Sequence, residues 1–476
     1  MSAGGRRPRA AWRALLVLVW GGSLATTSSA GAFDVQLDSD TTFQVYEVRS
    51  VSARAFTARR RLLSRLSLRI AHDLEEPDDD GRVIRLTSEV QLRLEQEFGE
   101  TCLLGRDFCV NATDSDDPGA WQPLAADTRL DVPAVWVQVD GLPLGLSARL
   151  GRQLVLDEIG FARVDGLRLR VAPLHWLSAE VVGGLLVRGT SLVGTPRSEL
   201  VGAVRLDDQT ADRVRWVDPG VDTWVVGAAL EGGPGRWLQL RLALRHMWEL
   251  DGDVMSRVSA SASSQPVPWL RLDGGGVFDL MTEEIIKASG RVSVGDETLR
   301  VRAGVSRHVP RFDQGTIWAW FSAAPLDQAE LGATWRASPD VSFGGALRGR
   351  RAELGEPYGD DLDAGVDGWF RARWEGFRFG ASAFVWSGAL GPLAGSQVDV
   401  TRRVFGWLEL ALNISVWHFD DPHRVENYGT VLSEVVSARF RASRETLILI
   451  DLQHATNRLV GHRFRGVLAV RVDTWR

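Results

Sequence analysis

The sequence predicts an all-β chain that closes into a single antiparallel transmembrane β-barrel, with an even strand number of about 22 (range about 18–24). Three observations predict it. Apolar and polar side chains alternate residue by residue along most of the chain. Very short Gly/Pro turns alternate with long polar connections. No apolar run after the N-terminus approaches the length of a spanning helix, so a closed barrel is the structure that satisfies its backbone in lipid.

The chain begins with a basic stretch, MSAGGRRPRAAWR, then the short apolar run ALLVLVWGGSLA and a small-residue exit, SSAGAF. Ala30 and Ala32 fit an A-x-A site, with cleavage expected before Phe33. Residues 1–32 are therefore expected to be a secretory signal peptide, and 33–476 the barrel. A net charge of −6 over 476 residues makes no case for nucleic-acid binding. Lys287 is the one Lys among many Arg.

The segment RLTSEVQLRLEQEF (85–98) sets the pattern. Leu86, Ser88, Val90, Leu92 and Leu94 share one face; Arg85, Glu89, Gln91, Arg93, Glu95 and Glu97 share the other. LSRLSLRI, QLRLALRHMW, TLRVRAGVS and WLELALNISVW repeat it. Reading forward, strands are expected near 41–53, 61–73, 84–98, 128–140, 145–156, 164–172, 176–189, 222–231, 236–249, 252–262, 268–280, 286–294, 297–306 and 315–323. Reading back from the C-terminus gives 462–475, 446–456, 431–442, 407–418, 394–404, 377–387, 363–374, 341–350 and 328–336. The two readings collide at 315–336, where both segments run the same way. One merged strand gives about 22; one further strand gives about 24.

Short turns near 141–145, 172–176, 232–237, 265–269, 338–340 and 375–376 are expected on the periplasmic side. The long connections 99–127, 190–221, 350–362 and 418–430 are expected outside. Trp176, Trp237, Trp269, Trp374, Phe377, Phe405 and Trp407 stand beside short turns, where an interfacial girdle belongs. Cys102 and Cys109 lie in one polar loop of an exported chain and are expected to form a local disulfide. The C-terminal strand carries Phe464, Gly466, Leu468, Val470 and Val472 on one face, with Trp475 on the opposite parity.

Residues 128–171 contain an A-x-V-x-V strand, then Gly151, Arg152 and Gln153, and later Asp165, Gly166, Arg168 and Arg170. This stretch resembles a hairpin of alginate-export-like outer-membrane porins. The resemblance implies an outer-membrane barrel, of 18 strands in that family, and covers under a tenth of the chain.

A barrel of about 22 strands is about 40 Å across at the backbone. Few residues precede the first expected strand, so no separate plug domain is expected. Instead the lumen should be narrowed by its own side chains and by in-folded loops, with 99–127 and 190–221 as candidates. Parity assigns Arg65, Arg69, Arg85, Glu89, Arg93, Glu95, Arg168, Arg170, Arg241, Arg245, Arg300, Arg302, Arg371, Arg373, Arg439 and Arg441 to the pore lining. Glu97, Glu409, Arg463 and Arg465 share that parity. Rings of Arg favour anions, whereas Arg–Glu pairs would neutralise one another. None of the eight His lies in an H-x-x-x-H or G-x-S-x-G setting, so no enzyme is expected. HFDDPH (418–423) is read as a solvated loop rather than a metal site; no metal and no cofactor are expected.

Together these readings predict a porin in a Gram-negative outer membrane, for diffusion or export of small polar solutes with a lean toward anions. Its expected partners are outer-membrane lipid, lipopolysaccharide, the barrel-insertion machinery and the solutes. The alternative is a barrel that only anchors surface loops for adhesion or partner binding. Leu92→Asp separates lipid from protein core. On the barrel reading it abolishes membrane insertion, measured as loss from the membrane fraction, whereas a soluble-core reading expects an unfolded soluble domain.

Overall fold

The computed structural model describes residues 33–49, 56–74, 83–98, 128–187, 191–193, 223–235, 237–250, 252–310, 325–353, 360–388, 391–420, 428–457 and 461–475. The 23 strands among these described residues form one sheet. They begin with β1 (Asp34–Arg49), β2 (Phe56–Asp73), β3 (Arg85–Glu97), β4 (Thr128–Leu142), β5 (Leu146–Asp157), β6 (Gly160–Leu174) and β7 (Leu177–Leu186). The three-residue β8 (Ser191–Val193) follows, then β9 (Trp224–Gly232), β10 (Gln239–Glu249), β11 (Gly252–Val267), β12 (Leu270–Asp279), β13 (Glu284–Gly295) and β14 (Leu299–His308). The rest are β15 (Leu326–Ser338), β16 (Val341–Glu353), β17 (Asp360–Trp374), β18 (Phe377–Gly388), β19 (Leu393–Phe405), β20 (Leu408–Asp420), β21 (Tyr428–Arg441), β22 (Thr446–Asn457) and β23 (Gly461–Trp475).

β8 pairs with the end of β4 and stands outside the ring. The other 22 pair antiparallel with their neighbours, β7 joining β9 directly, and β1 closes the ring on β23. That seam runs from Gln36↔Trp475 to Tyr46↔Arg465. Arg471 Nη2 to Asp40 Oδ2 at 3.2 Å, and Thr474 Oγ1 donating to the Leu37 carbonyl at 3.1 Å, tie it. Closure leaves no unpaired edge, which is the condition for standing in hydrocarbon. Among the described residues no helix is long and apolar enough to cross a membrane.

The two colliding strand readings resolve here. β14 pairs directly with β15, from Leu299↔Trp335 to His308↔Leu326, so no stave stands between them. The segment 315–323 lies outside the described residues. The count is therefore 22, and the 18 implied by the resemblance is corrected by the ring itself.

Both termini and the turns near 143–145, 175–176, 268–269, 339–340, 375–376 and 406–407 lie at one end, here the terminal rim. The long connections leave from the other, far rim. Asp side chains close several turns: Asp157 accepts from the Ile159 amide (2.9 Å) and Asp296 from the Thr298 amide (2.7 Å). Two backbone bonds, from Leu299 and Thr298, hold the Asp296 carboxyl below its ordinary pKa.

Register carries the alternation around the ring. On β20, Leu410, Leu412, Ile414 and Val416 are exposed on the outer face, while Glu409, Asn413 and Ser415 point the other way. Trp176, Trp237, Trp269, Trp335, Trp374 and Trp407 form an exposed girdle at the terminal rim, as an interfacial belt requires.

Several inner-face aromatics lie flat on glycines of the adjoining strand. A Cβ on Gly365 would meet the Trp386 ring at 2.5 Å, and one on Gly395 would meet Phe384 at 2.7 Å. Gly365→Ala should therefore destabilise the barrel by about 1–3 kcal/mol through overpacking, read as a lower unfolding temperature in heat-modifiability gels. Gly368→Ala, whose nearest neighbour is 3.7 Å away, should leave that temperature unchanged.

Candidate functional site: a polar lumen and its in-folded hairpin

Which face is the inside is settled by the β5–β6 hairpin. Pairing of β5 with β4 stops at Arg152↔Val135, and pairing of β6 with β7 stops at Val164↔Leu186. Beyond those points the hairpin leaves the wall and its tip reaches β10 and β11, strands that are not its neighbours. Arg245 Nη2 bonds Asp157 at 2.7 Å and the Gly160 carbonyl at 3.2 Å. Glu158 meets Arg241 at 3.3 Å and accepts from Ser261 at 3.0 Å. Such a chord crosses the interior of a closed ring, so the face bearing Arg241, Arg245 and Ser261 lines the lumen.

Apolar packing holds the tip as well. Val155, Ile159, Ala162 and Val164 of the hairpin form one buried cluster with Val182, Val225, Ala243, Met247, Met255, Val277 and Ile286 of the wall. The bend begins at Gly151, whose φ is +124°. A Cβ there would stand 2.9 Å from the Trp136 Cα, so a side chain is excluded both by conformation and by space. The vacated edge of β4 is taken by β8, with Leu130↔Val193 and Asp131↔Ser191. The residues behind the alginate-export resemblance thus serve this bend. Gly151 makes it, Gln153 is fully buried beneath it, and Arg152 pairs with Asp165 at 2.7 Å on the opposite parity.

By strand register the sixteen residues expected at the pore share the rows that carry Arg241, Arg245 and Ser261. Arg65, Arg69, Arg85, Glu89, Arg93 and Glu95 share the inward rows of β2 and β3. Arg168 and Arg170 stand on β6, Arg241 and Arg245 on β10, Arg300 and Arg302 on β14. Arg371 and Arg373 belong to β17, Arg439 and Arg441 to β21. Arg245 differs from the rest: at 2% side-chain exposure it is sealed beneath the hairpin and meets no open water.

Much of the wall charge is neutralised in place. Arg61 pairs with Glu95, Arg168 with Glu180 (2.6 Å), Arg257 with Asp279 (3.1 Å) and Arg350 with Asp363 (2.7 Å). A chain of charges runs Arg302–Glu330–Arg348–Asp367 at 3.2, 3.4 and 3.1 Å. Arginine is most concentrated in an arc near the terminal rim. There the two inward positions nearest the rim on β17–β21 hold Arg371, Arg373, Arg378, Arg403, Arg439 and Arg441 against one carboxylate, Glu409. Glu409 bridges Arg378 at 2.5 Å and Arg439 at 3.4 Å, and the other four guanidiniums lack such a partner in those rows. A lumen cavity of about 580 Å³ lies beside the hairpin tip, lined by Glu158, Arg241, Ser261, Lys287 and Arg291.

The loops expected to narrow the lumen, 99–127 and most of 190–221, lie outside the described residues, as do Cys102, Cys109, the signal segment 1–32 and part of HFDDPH. His418 bonds Thr430 at 3.1 Å on the outward row. The in-folded hairpin was missed from sequence. Its signal is QLVLDEIGFA, where both parities are apolar and the turn is acidic: a strand with lipid on one side and water on the other has no use for that pattern.

The chain is similar to three crystal structures in particular. These are Acinetobacter baumannii OccAB3 (8% identity, 93% of this chain and 99% of that chain, TM-score 0.46), a BenF-like porin from Pseudomonas fluorescens Pf-5 (9%, 95% and 100%, 0.45), and Pseudomonas aeruginosa OpdK with vanillate (11%, 93% and 99%, 0.43). No protein-family model and no curated protein matches the chain. The fold therefore rests on the closed strand pairing, and the likenesses add no argument to it.

Arg245→Ala leaves the Asp157 carboxylate buried without its guanidinium, a loss of about 3–5 kcal/mol for a pair so enclosed. The hairpin should detach from β10, and single-channel conductance in planar bilayers should rise above that of the unaltered chain.

Proposed function

We propose that this chain is an outer-membrane porin for small polar solutes, with the far rim outside, the terminal rim periplasmic, and residues 1–32 directing export. The observation that carries the reading is a closed wall with an apolar exterior and a charged, hairpin-narrowed interior. A barrel that served only as an anchor would gain nothing from a lumen of Ser, Gln, Arg and Asp kept wet along its length. Signal-directed export and the girdle at the terminal rim fit the same orientation.

The preference for anions rests on the arginine arc of β17–β21. Six guanidiniums facing one carboxylate give a positive field in the last turn of the path, whereas Arg302, Arg348 and Arg350 on the neighbouring strands are each paired with a carboxylate. An anion crossing that arc meets bidentate donors at several neighbouring positions. The kinship with alginate-export-like porins implied by 128–171 stays a motif-level likeness, since those residues have a sufficient role in bending the hairpin.

Refolded protein in planar bilayers should conduct, and in a salt gradient its reversal potential should report anion preference. Arg373→Glu combined with Arg403→Glu should move that potential toward the cation side. A barrel without conductance would overturn the porin reading, and cation preference in the unaltered chain would overturn the role of the arc.

A further inference from the structure

The inward face of β17–β20 changes character row by row toward the far rim, and this gradient is not explained by a need for wetness or for anion attraction. Nearest the terminal rim stand the arginines. The next inward rows on β18–β20 are Gly380, Asp399 and Asn413, then Ser382, Gln397 and Ser415. Above these come Phe384, Gly395 and Trp417, in register with one another. Trp369 flanks the Ser382 row on β17, and Trp386 stands one row above Phe384 on β18.

Aromatic rings on a wet wall carry a solvation cost unless something apolar meets them. Here their placement is specific. Trp369, Trp386 and Phe384 lie against bare glycine backbone, with ring atoms 2.8, 2.5 and 2.7 Å from where Cβ atoms of Gly344, Gly365 and Gly395 would be. All three stand on inward rows. Arg350 lies over Trp386 at 4.5 Å and Arg371 over Trp369 at 5.1 Å, which leaves Phe384 and Trp417 as the open pair. These two meet edge to face, with centroids 5.4 Å apart, and Trp417 is 44% exposed.

The polar rows beneath them are of one kind. Gln397, Asn413 and Asp399 make no hydrogen bond or ion pair with another side chain among the described residues. Each offers two polar atoms at the end of a planar group. The set carries a single formal charge, so it suits neither a strong anion nor a cation. What it does suit is a solute with an apolar C–H face and an equator of hydroxyls.

We propose that β17–β20 form a saccharide track in the lumen: Phe384 and Trp417 take the C–H faces of sugar rings, and Gln397, Asn413 and Asp399 take their hydroxyls. The inference rests on the porin reading for its setting and narrows that reading to a solute class. From Trp417 to Asn413 the track runs about 13 Å along β20, the span of a short oligosaccharide rather than of one ring. Stacking is directional and amide contacts are numerous but weak, so the track slows a sugar without trapping it.

The test uses maltotriose on the full chain, with binding read by calorimetry in detergent and transport read as block of ion conductance in bilayers. Maltotriose is expected to bind and to lower conductance saturably. Phe384→Ala with Trp417→Ala should raise the half-blocking concentration about tenfold, and Asn413→Ala should raise it less. Each variant should keep the heat-modifiability of the unaltered chain, which certifies its fold, and Trp417→Phe should keep most of the block. A barrel that conducts but neither binds maltotriose nor is blocked by it overturns the track. So does block that survives removal of both rings, or block by benzoate alone, which would assign the rings to aromatic anions. A barrel that binds maltotriose without conducting would instead overturn the porin reading and leave the track in place.

Discussion

The structure depends on the pairing of β1 with β23. In hydrocarbon an unpaired amide or carbonyl has no water to turn to, so a sheet of any size is admissible only when its first and last strands meet. Eleven register positions, from Gln36↔Trp475 to Tyr46↔Arg465, join the ends of a chain more than four hundred residues apart. Once the ring is closed, alternation acquires its meaning. Every odd–even choice along 22 strands becomes a choice between lipid and lumen, and Leu, Val and Ile on one side need no packing partner beyond lipid itself.

Closure also creates a difficulty, because a ring of this size encloses a wide interior. The β5–β6 hairpin answers it with the means of an ordinary soluble core. Its tip carries apolar side chains to an apolar patch on the inner wall, and the charges at the turn are matched by Arg245 and Arg241. An ion pair this enclosed adds less to net stability than its geometry suggests, since both groups give up water to form it. Its contribution is to fix one position for the hairpin, because Asp157 has one buried guanidinium to meet. The edge that the hairpin abandons on β4 is re-paired by β8, so satisfaction of the backbone is kept where the wall opens.

The remaining lumen is divided by chemistry. Around β14–β17 arginines and carboxylates interlock, which keeps the wall wet and electrically quiet. Around β17–β21 the arginines outnumber the acids near one rim, and rings over glycines face the interior further up. Gly344, Gly365 and Gly395 share one role there: each leaves room for a neighbouring ring to lie flat, and in doing so turns an aromatic side chain from a space-filling group into a surface.

The sequence by itself determined the barrel and its near-even division into hairpins, because alternation has a period of two and strand pairing carries it from one strand to the next. Leu92 and Arg93 could be assigned to opposite sides from local pattern alone. Strand ends were less legible: β1 begins at Asp34 rather than near 41, since Asp38, Ser39, Asp40 and Thr41 dilute the alternation that marks a strand. Parity tells which way a side chain points but not what stands in front of it. Only the tertiary structure decided that Arg245 faces a hairpin and not water, that Glu409 is shared by two arginines, and that β14 meets β15 with nothing between. Those outcomes depend on which distant segments come together when the ring closes, and no local period encodes that.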